Sequence, residues 1–210
     1  IKLHTSDELL ETGFSDASDW FSKGEKLWRE RRTKKSEKMS NIDRIDFQRG
    51  ITEQYLNAPY LVLYNSSAKD ANATIVKRED IDFEFFVDYK AYQLHLNNLD
   101  EAHYLTAILN SAIPNKLMKD FQSRGLFGAR DVSKKILDIF YPRFDRTNEI
   151  HKQLATLSET AHLKAKEFIQ KTSPSADLSP HALGSLRLDV KKYLSEEMQA
   201  IDKLVAELIA

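Results

Sequence analysis

The sequence predicts an α+β fold: a mixed α/β domain followed by a C-terminal antiparallel helical hairpin. Three observations predict it. Short runs of aromatic and branched residues, suited to a pleated surface, cluster mid-chain at 60–64 (YLVLY), 74–76 (TIV) and 83–87 (FEFFV). A helical apolar period then takes over at Ile150, Leu154, Leu157, Ala161 and Phe168. Near the end, Leu194, Ile201 and Leu208 recur every seven residues with Met198 and Val205 between them. That spacing makes a seam that needs a partner helix.

Three regions follow in order. Residues 1–50 read as a helical segment: the polar run 15–38 is anchored by Trp20, Phe21, Leu27 and Trp28, with Trp20, Leu27 and Trp28 on one helical face. Residues 51–146 form the mixed domain. Asn65-Ser66-Ser67 is turn chemistry, and 101–111 is helical through Tyr104, Leu105, Ile108 and Leu109. Pro114 marks a break or a new helix start, Gly125 and Gly128 flank a turn, and 136–141 (ILDIFY) reads as a strand closing on Pro142. Residues 147–210 form a helical spacer. Asn148 is the expected N-cap of the helix 148–171, and 173–180 (SPSADLSP) is a linker. The final helix pairs with 148–171, or alternatively with a helix of another domain.

The 210 residues are 41% hydrophobic and 30% charged, an ordinary globular composition. No apolar run approaches the roughly 18 residues of a membrane span, and the N-terminus lacks the basic start and apolar core of a secretory leader. The expectation is a cytoplasmic protein without membrane contact, which also suits a chain with no cysteine. Ile1 in place of an initiator methionine suggests a fragment or a processed product.

Net charge is -1, but its distribution is uneven. Residues 23–38 hold eight basic residues against three acidic, a local +5; residues 116–146 hold eight against four, a local +4; residues 66–101 hold four against eight, a local -4. Such a chain can present a basic surface to phosphates although its total charge is near zero. Solvated faces alone would give the same counts.

Catalytic patterns are sparse. Asn57-Ala58-Pro59-Tyr60 is near the Asn-Pro-Pro-aromatic motif that holds a flipped adenine, but Ala58 replaces the first proline. None of the six glycines forms a GxG loop for S-adenosylmethionine. Glu79-Asp80 with Asp88-Tyr89-Lys90 could hold Mg²⁺ for phosphodiester cleavage if the residues lay on adjacent strands. The six histidines include no HxxxH pair, and no Walker loop or GxSxG occurs. The chain is therefore expected to carry no catalytic site and no cofactor of its own.

The segment 104–146 is the most informative. Gln122, Ser123, Arg124 and Arg130 are polar side chains able to reach base edges, and Lys116, Lys119, Lys134 and Lys135 suit phosphates. Gly125 and Gly128 permit close backbone approach. A structural loop fits the same residues, and both readings stand.

Several pieces occur in a recognisable order: Tyr104-Leu105 with Leu109-Asn110-Ser111, Gln122-Ser123-Arg124-Gly125, Gly128-Ala129-Arg130-Asp131, Ile139-Phe140-Tyr141-Pro142, a helix start at Glu149-Ile150-His151, and the ending Ile201-Asp202-Lys203-Leu204-Val205. Over roughly residues 55–210 the chain resembles the C-terminal target-recognition region of N6-adenine DNA methylases and type IIG restriction–modification enzymes. It is more distantly similar to the recognition domains of type I specificity subunits. The resemblance implies sequence-specific binding of double-stranded DNA, positioning it for a methyltransferase or nuclease domain or subunit outside this chain. S-adenosylmethionine would sit in that other domain. It further implies base contacts from Gln122, Arg124 and Arg130, and phosphate contacts from Lys116, Lys119, Lys134, Lys135 and Arg143. Two alternatives remain: a module that docks another subunit, or self-associates, through the C-terminal helices, and a Mg²⁺-dependent nuclease at Asp80, Asp88 and Lys90.

Overall fold

The computed structural model describes residues 1–209 except Tyr89, Leu126, Phe127, Arg130, Ser133 and 173–178; the side chains of Arg124, Ala129, Lys134 and Lys135 also lie outside the description. The chain forms two units, Ile1–Asn57 with Glu84–Tyr89, and Ala58–Phe83 with Lys90–Ala210. This division differs from the boundaries expected at 50/51 and 146/147. Residues 51–57 stand with the first helices, and the C-terminal helices share one unit with the sheet.

The first unit is built from helices α1 (Ser6–Glu11), α2 (Ser15–Arg31) and α3 (Asn41–Ile45). Their starts are written in polar side chains. Thr5 and Glu8 form a reciprocal capping box at α1, and Ser40 and Asp43 form one at α3. Buried Ser18 donates to the Ser6 carbonyl at 2.7 Å, and Ser6 donates from N and Oγ to Glu25 at 3.1 and 2.9 Å. These bonds fix which side of α2 faces inward. Trp20 and Leu27, expected on the packed face, are therefore exposed at 70% and 48%. Trp28 is the one that anchors, donating from Nε1 to the Met39 carbonyl at 2.8 Å.

A turn at Gln48 and Arg49 has φ of 55° and 59°, left-handed values that are uncommon in non-glycine residues. Asp46 ties it down by accepting from the amides of Ile51 and Thr52 and from the Thr52 hydroxyl. The strand expected at 83–87 does not form. The Gln54 side-chain amide bonds both the N–H and the carbonyl of Val87, taking the place of a neighbouring strand.

In the second unit β1 (Tyr60–Asn65), β2 (Ala73–Lys77) and β3 (Ala91–Leu96) make an antiparallel sheet of order β2-β1-β3. β1 lies at the centre because its run of apolar side chains can be covered: Leu61 and Val62 are fully buried. Leu61 stands opposite Val76 on one side and His95 on the other. Helices α4 (Leu99–Asn110) and α5 (Ala112–Met118) follow. α4 is buried almost all round, as expected of a helix between two layers. Its Ala102 and Leu109 join Val62, Tyr64, Met118, Val132 and Ile136 in a core beneath the sheet. Its Tyr104, Ala107 and Ile108 meet a second core of Leu154, Ala155, Ile201 and Val205.

The Gly-flanked segment is a two-residue ladder, β4 (Arg124–Gly125) against β5 (Gly128–Ala129). The strand expected at 136–141 is instead a 3₁₀ turn over Lys134–Asp138 and irregular chain beyond it. Ile136 is buried with Leu137 and Ile139 packed beside it, so the apolar run serves the sheet core through side chains and not through a ladder.

The C-terminal part contains α6 (Glu149–Thr172), α7 (Pro180–Tyr193) and α8 (Ser195–Ile209). Asn148 caps α6, accepting from the Ile150 amide at 2.9 Å. α6 and α8 pack antiparallel: Lys164 pairs with Glu197 near the start of α8, while Leu154, a few turns earlier in α6, shares a core with Val205. The hairpin is as expected except that the chain kinks at Leu194, leaving α7 as an extra helix between its arms.

Candidate nucleic-acid interface

The loop between β1 and β2 is held by side-chain amides. Asn110, at the end of α4, brackets Ala73: its Oδ1 accepts from the Ala73 amide at 2.7 Å and its Nδ2 donates to the Ala73 carbonyl at 2.9 Å. Asn115 in α5 accepts from the Ala71 amide at 2.7 Å and donates to the carbonyls of Leu109 and Ser111 at 3.0 and 2.9 Å. Asn65 accepts from the Asn72 amide at 2.6 Å. From the other side, Val132 donates its amide to Ser66 at 3.2 Å, and Ser123 donates to Asp131 at 2.7 Å. The loop is thus tied to α4 and α5, and Ser66 before it to Val132. Polar residues at the inward positions of helical periods, Asn110 and Asn115, were the available signal for this network. The sequence reading passed over Asn115.

Gln122, expected at base edges, is turned inward. It is 7% exposed, and its Nε2 donates to the Ala68 and Lys69 carbonyls at 3.1 and 3.3 Å while its Oε1 accepts from Lys119 at 3.2 Å. Lys119, expected on phosphate, is half-buried and pairs with Asp70 at 2.7 Å. It also donates to the Lys69 carbonyl. Both side chains are occupied in holding the loop. Lys116, Arg143 and Arg146 are exposed, and none makes an ion pair among the described residues. The side chains of Arg124, Lys134 and Lys135, and the whole of Arg130, lie outside the described residues.

The residues that carry the resemblance are tied to one another. Tyr104 donates its hydroxyl to the Pro142 carbonyl at 2.7 Å, and its ring lies 4.6 Å from that of His151. Ser111 donates to Asp202 at 2.8 Å, and Asp202 also accepts from the Ala112 amide at 2.8 Å. These positions are framework, joining α4 to 142–151 and α5 to α8.

Three histidines are packed more tightly than expected of surface residues. His103 lies with Nδ1 at 3.3 Å from the Ser158 hydroxyl and edge-to-face with His162 at 5.3 Å. Burial, then the neighbouring His162 and Lys77, push its pKa down to about 4. His162 donates from Nδ1 to the Ser158 carbonyl at 2.8 Å. His151 is buried and accepts at Nδ1 from the Asp145 amide at 2.9 Å. Burial lowers its pKa against the opposing pull of Asp145. A cleft of about 180 Å³ opens beside this cluster, lined by Thr74, Asn110, Ser158, His162 and Met198 among others.

The residues of the nuclease reading are not on adjacent strands. Asp80 ends a 3₁₀ turn in the second unit, and Asp88 belongs to the irregular chain of the first. Among the described residues no group of three or more His, Asp or Glu is placed to hold a metal ion. Next to Asn57, the Pro59 carbonyl accepts from the Arg78 amide at 3.0 Å and the Ala58 carbonyl from Arg78 Nε at 3.1 Å. These are the contacts of a strand entry. No described helix is long and apolar enough to cross a membrane.

No family model, curated protein or solved structure matches the chain.

Proposed function

We propose that this chain is the DNA target-recognition part of a larger restriction–modification or adenine-N6 DNA methyltransferase protein, with catalysis and S-adenosylmethionine in a domain or subunit outside it. The observation that carries the reading is the segment 116–146. It is basic by four charges, and its exposed Lys116, Arg143 and Arg146 make no ion pair among the described residues. A rigid frame beneath such a surface suits recognition, because phosphate contacts can set the register only if the scaffold holds its shape. The amide network around the β1–β2 loop provides that frame.

In the revised assignment Arg124 and Arg130 read base edges, while Lys116, Lys134, Lys135 and Arg143 contact phosphates. Fluorescence anisotropy on duplex DNA tests it. Lys116→Ala with Arg143→Ala should weaken binding to all sequences and flatten the salt dependence. Arg124→Ala or Arg130→Ala should cost about 1–3 kcal/mol on the preferred sequence only. Unchanged affinity and salt slope in all three variants would sink the assignment.

The alternative of docking another subunit through the C-terminal helices would use residues outside the α8 seam, such as the exposed Leu163, Leu188 and Tyr193. Ile201 and Val205 are already buried against α4 and α6, with Met198 and Leu208 packed beside them.

A further inference from the structure

We infer that the C-terminal half of α2, from Lys23 onward, and the 3₁₀ turn after it (Lys34–Ser36) form a second contact for the phosphate backbone of duplex DNA. The inference rests on the proposed function only in its choice of duplex DNA as the polyanion.

Seven of the eight basic residues in 23–38 are exposed, Arg32 alone being half-buried. None of the eight makes an ion pair among the described residues. Of the three carboxylates in the segment, Glu25 is turned inward to Ser6, which leaves Glu30 and Glu37 against eight cations. The hydrogen bonds from Ser6 and Ser18 set the rotation of α2, so Lys23, Lys26 and Arg31 face outward beside Trp20 and Leu27.

A helix C-terminus attracts cations for its own stability, and Arg29 and Arg31 in the last turn satisfy that need. Lys34, Lys35 and Lys38 lie beyond the helix and have no such reason. From Lys23 to Arg31 the helix rises about 12 Å at 1.5 Å per residue. One DNA strand offers a phosphate about every 3.4 Å of axis, so the face spans on the order of three to four phosphates. A lipid surface fits less well. The exposed apolar residues of this half of the helix and its edge are two, Trp20 and Leu27, beside the cations Lys23, Lys26 and Arg31, a small apolar area to sink among acyl chains.

The test uses the full chain and a labelled duplex, with affinity followed by anisotropy across a salt series. Two variants are compared with the parent: Lys34→Gln/Lys35→Gln/Lys38→Gln, outside any α-helix, and Lys23→Gln/Lys26→Gln/Arg31→Gln. Trp28 fluorescence reports whether each still folds. Each lost phosphate contact should reduce the slope of log K against log salt by about 0.9, so a triple variant should lose roughly 2–3, equally on every duplex sequence. Parental slopes in both folded variants overturn the inference. So does loss of binding to phosphatidylserine vesicles with an unchanged duplex slope, which would assign the face to a membrane. If only Lys116→Ala/Arg143→Ala lowers the slope, this inference fails and the proposed function stands. If the chain shows no sequence preference yet the α2 variants still lower the slope, the proposed function fails and this inference stands. No binding to any duplex ends both.

Discussion

The two units hold themselves together by different means. Among the described residues, Val87 is the one buried apolar side chain of the first unit, whereas Leu61, Val62, Tyr104, Leu154, Ile201 and others fill the second. The first unit relies on side chains that complete backbone hydrogen bonds: Thr5 with Glu8, Ser40 with Asp43, Asp46 at Ile51 and Thr52, and Gln54 at Val87. Such bonds give local order at about 1 kcal/mol each, while burial of large apolar side chains supplies the bulk of folding free energy. The contrast teaches which unit carries stability and which is free to present an unusual surface.

The largest test of that contrast is in the second core. Leu154→Ala should cost about 3–4 kcal/mol in urea denaturation followed by circular dichroism, because Leu154 is wholly buried between α4 and α8. Trp20→Ala in the first unit should change stability by no more than about 0.5 kcal/mol. Similar costs for the two would break the comparison.

Acid should separate the units next. His103 has its pKa held at about 4 against an ordinary 6.5, so the unfolded chain takes up a proton that the folded chain refuses between those values. The second unit therefore loses stability as pH falls from 6.5 to 4, by at most about 3 kcal/mol from this group. His151 and His95, both lowered chiefly by burial, push the same way. In the first unit stability also falls with acid, but the window lies lower. Hydrogen bonds from Ser40 lower the Asp43 pKa; at Asp46 burial acts to raise it, but Thr52, Ile51 and Arg49 outweigh that. Their contribution is present above the ordinary carboxylate value of 3.8 and disappears only below it. Both tryptophans lie in the first unit. At pH 5 tryptophan emission should thus be native while the urea midpoint by circular dichroism has already fallen, and His103→Gln should reduce that fall. A pH-independent midpoint between 6.5 and 4.5 would contradict the role given to His103.

Smaller effects sharpen the picture. Asn110→Ala should cost about 1–3 kcal/mol, since it strands both the N–H and the carbonyl of Ala73, and hydrogen exchange at Ala73 should accelerate. Ser40→Ala should cost about 1 kcal/mol, seen by tryptophan emission.

Legibility in the sequence followed the same divide. β1, β2, α4 and α6 were readable because their apolar spacing matches the face they bury, and the α8 seam found α6 as expected. β3 carries a period-two signal, Tyr92, Leu94 and Leu96 alternating with Gln93 and His95, but the more aromatic run at 83–87 just before it is the stronger strand signal by composition. The runs 83–87 and 136–141 have strand-like residues but no strand beside them: Gln54 occupies Val87, and Ile136 packs by its side chain. Composition records what a residue prefers, and a ladder needs a partner that only the tertiary fold supplies. The same limit applied to the site. Lys116 and Arg143 face outward, whereas Gln122 and Lys119 turn inward because Ala68, Lys69 and Asp70, some fifty residues away, offer them bonds.

Selection from a pool of randomised DNA duplexes tests the central proposal most directly. The full chain is immobilised and the retained duplexes are sequenced after several rounds at moderate salt. A defined sequence should be enriched, and Arg124→Ala or Arg130→Ala should change or blur it. Retention without enrichment, or no retention at low salt, would contradict a target-recognition role.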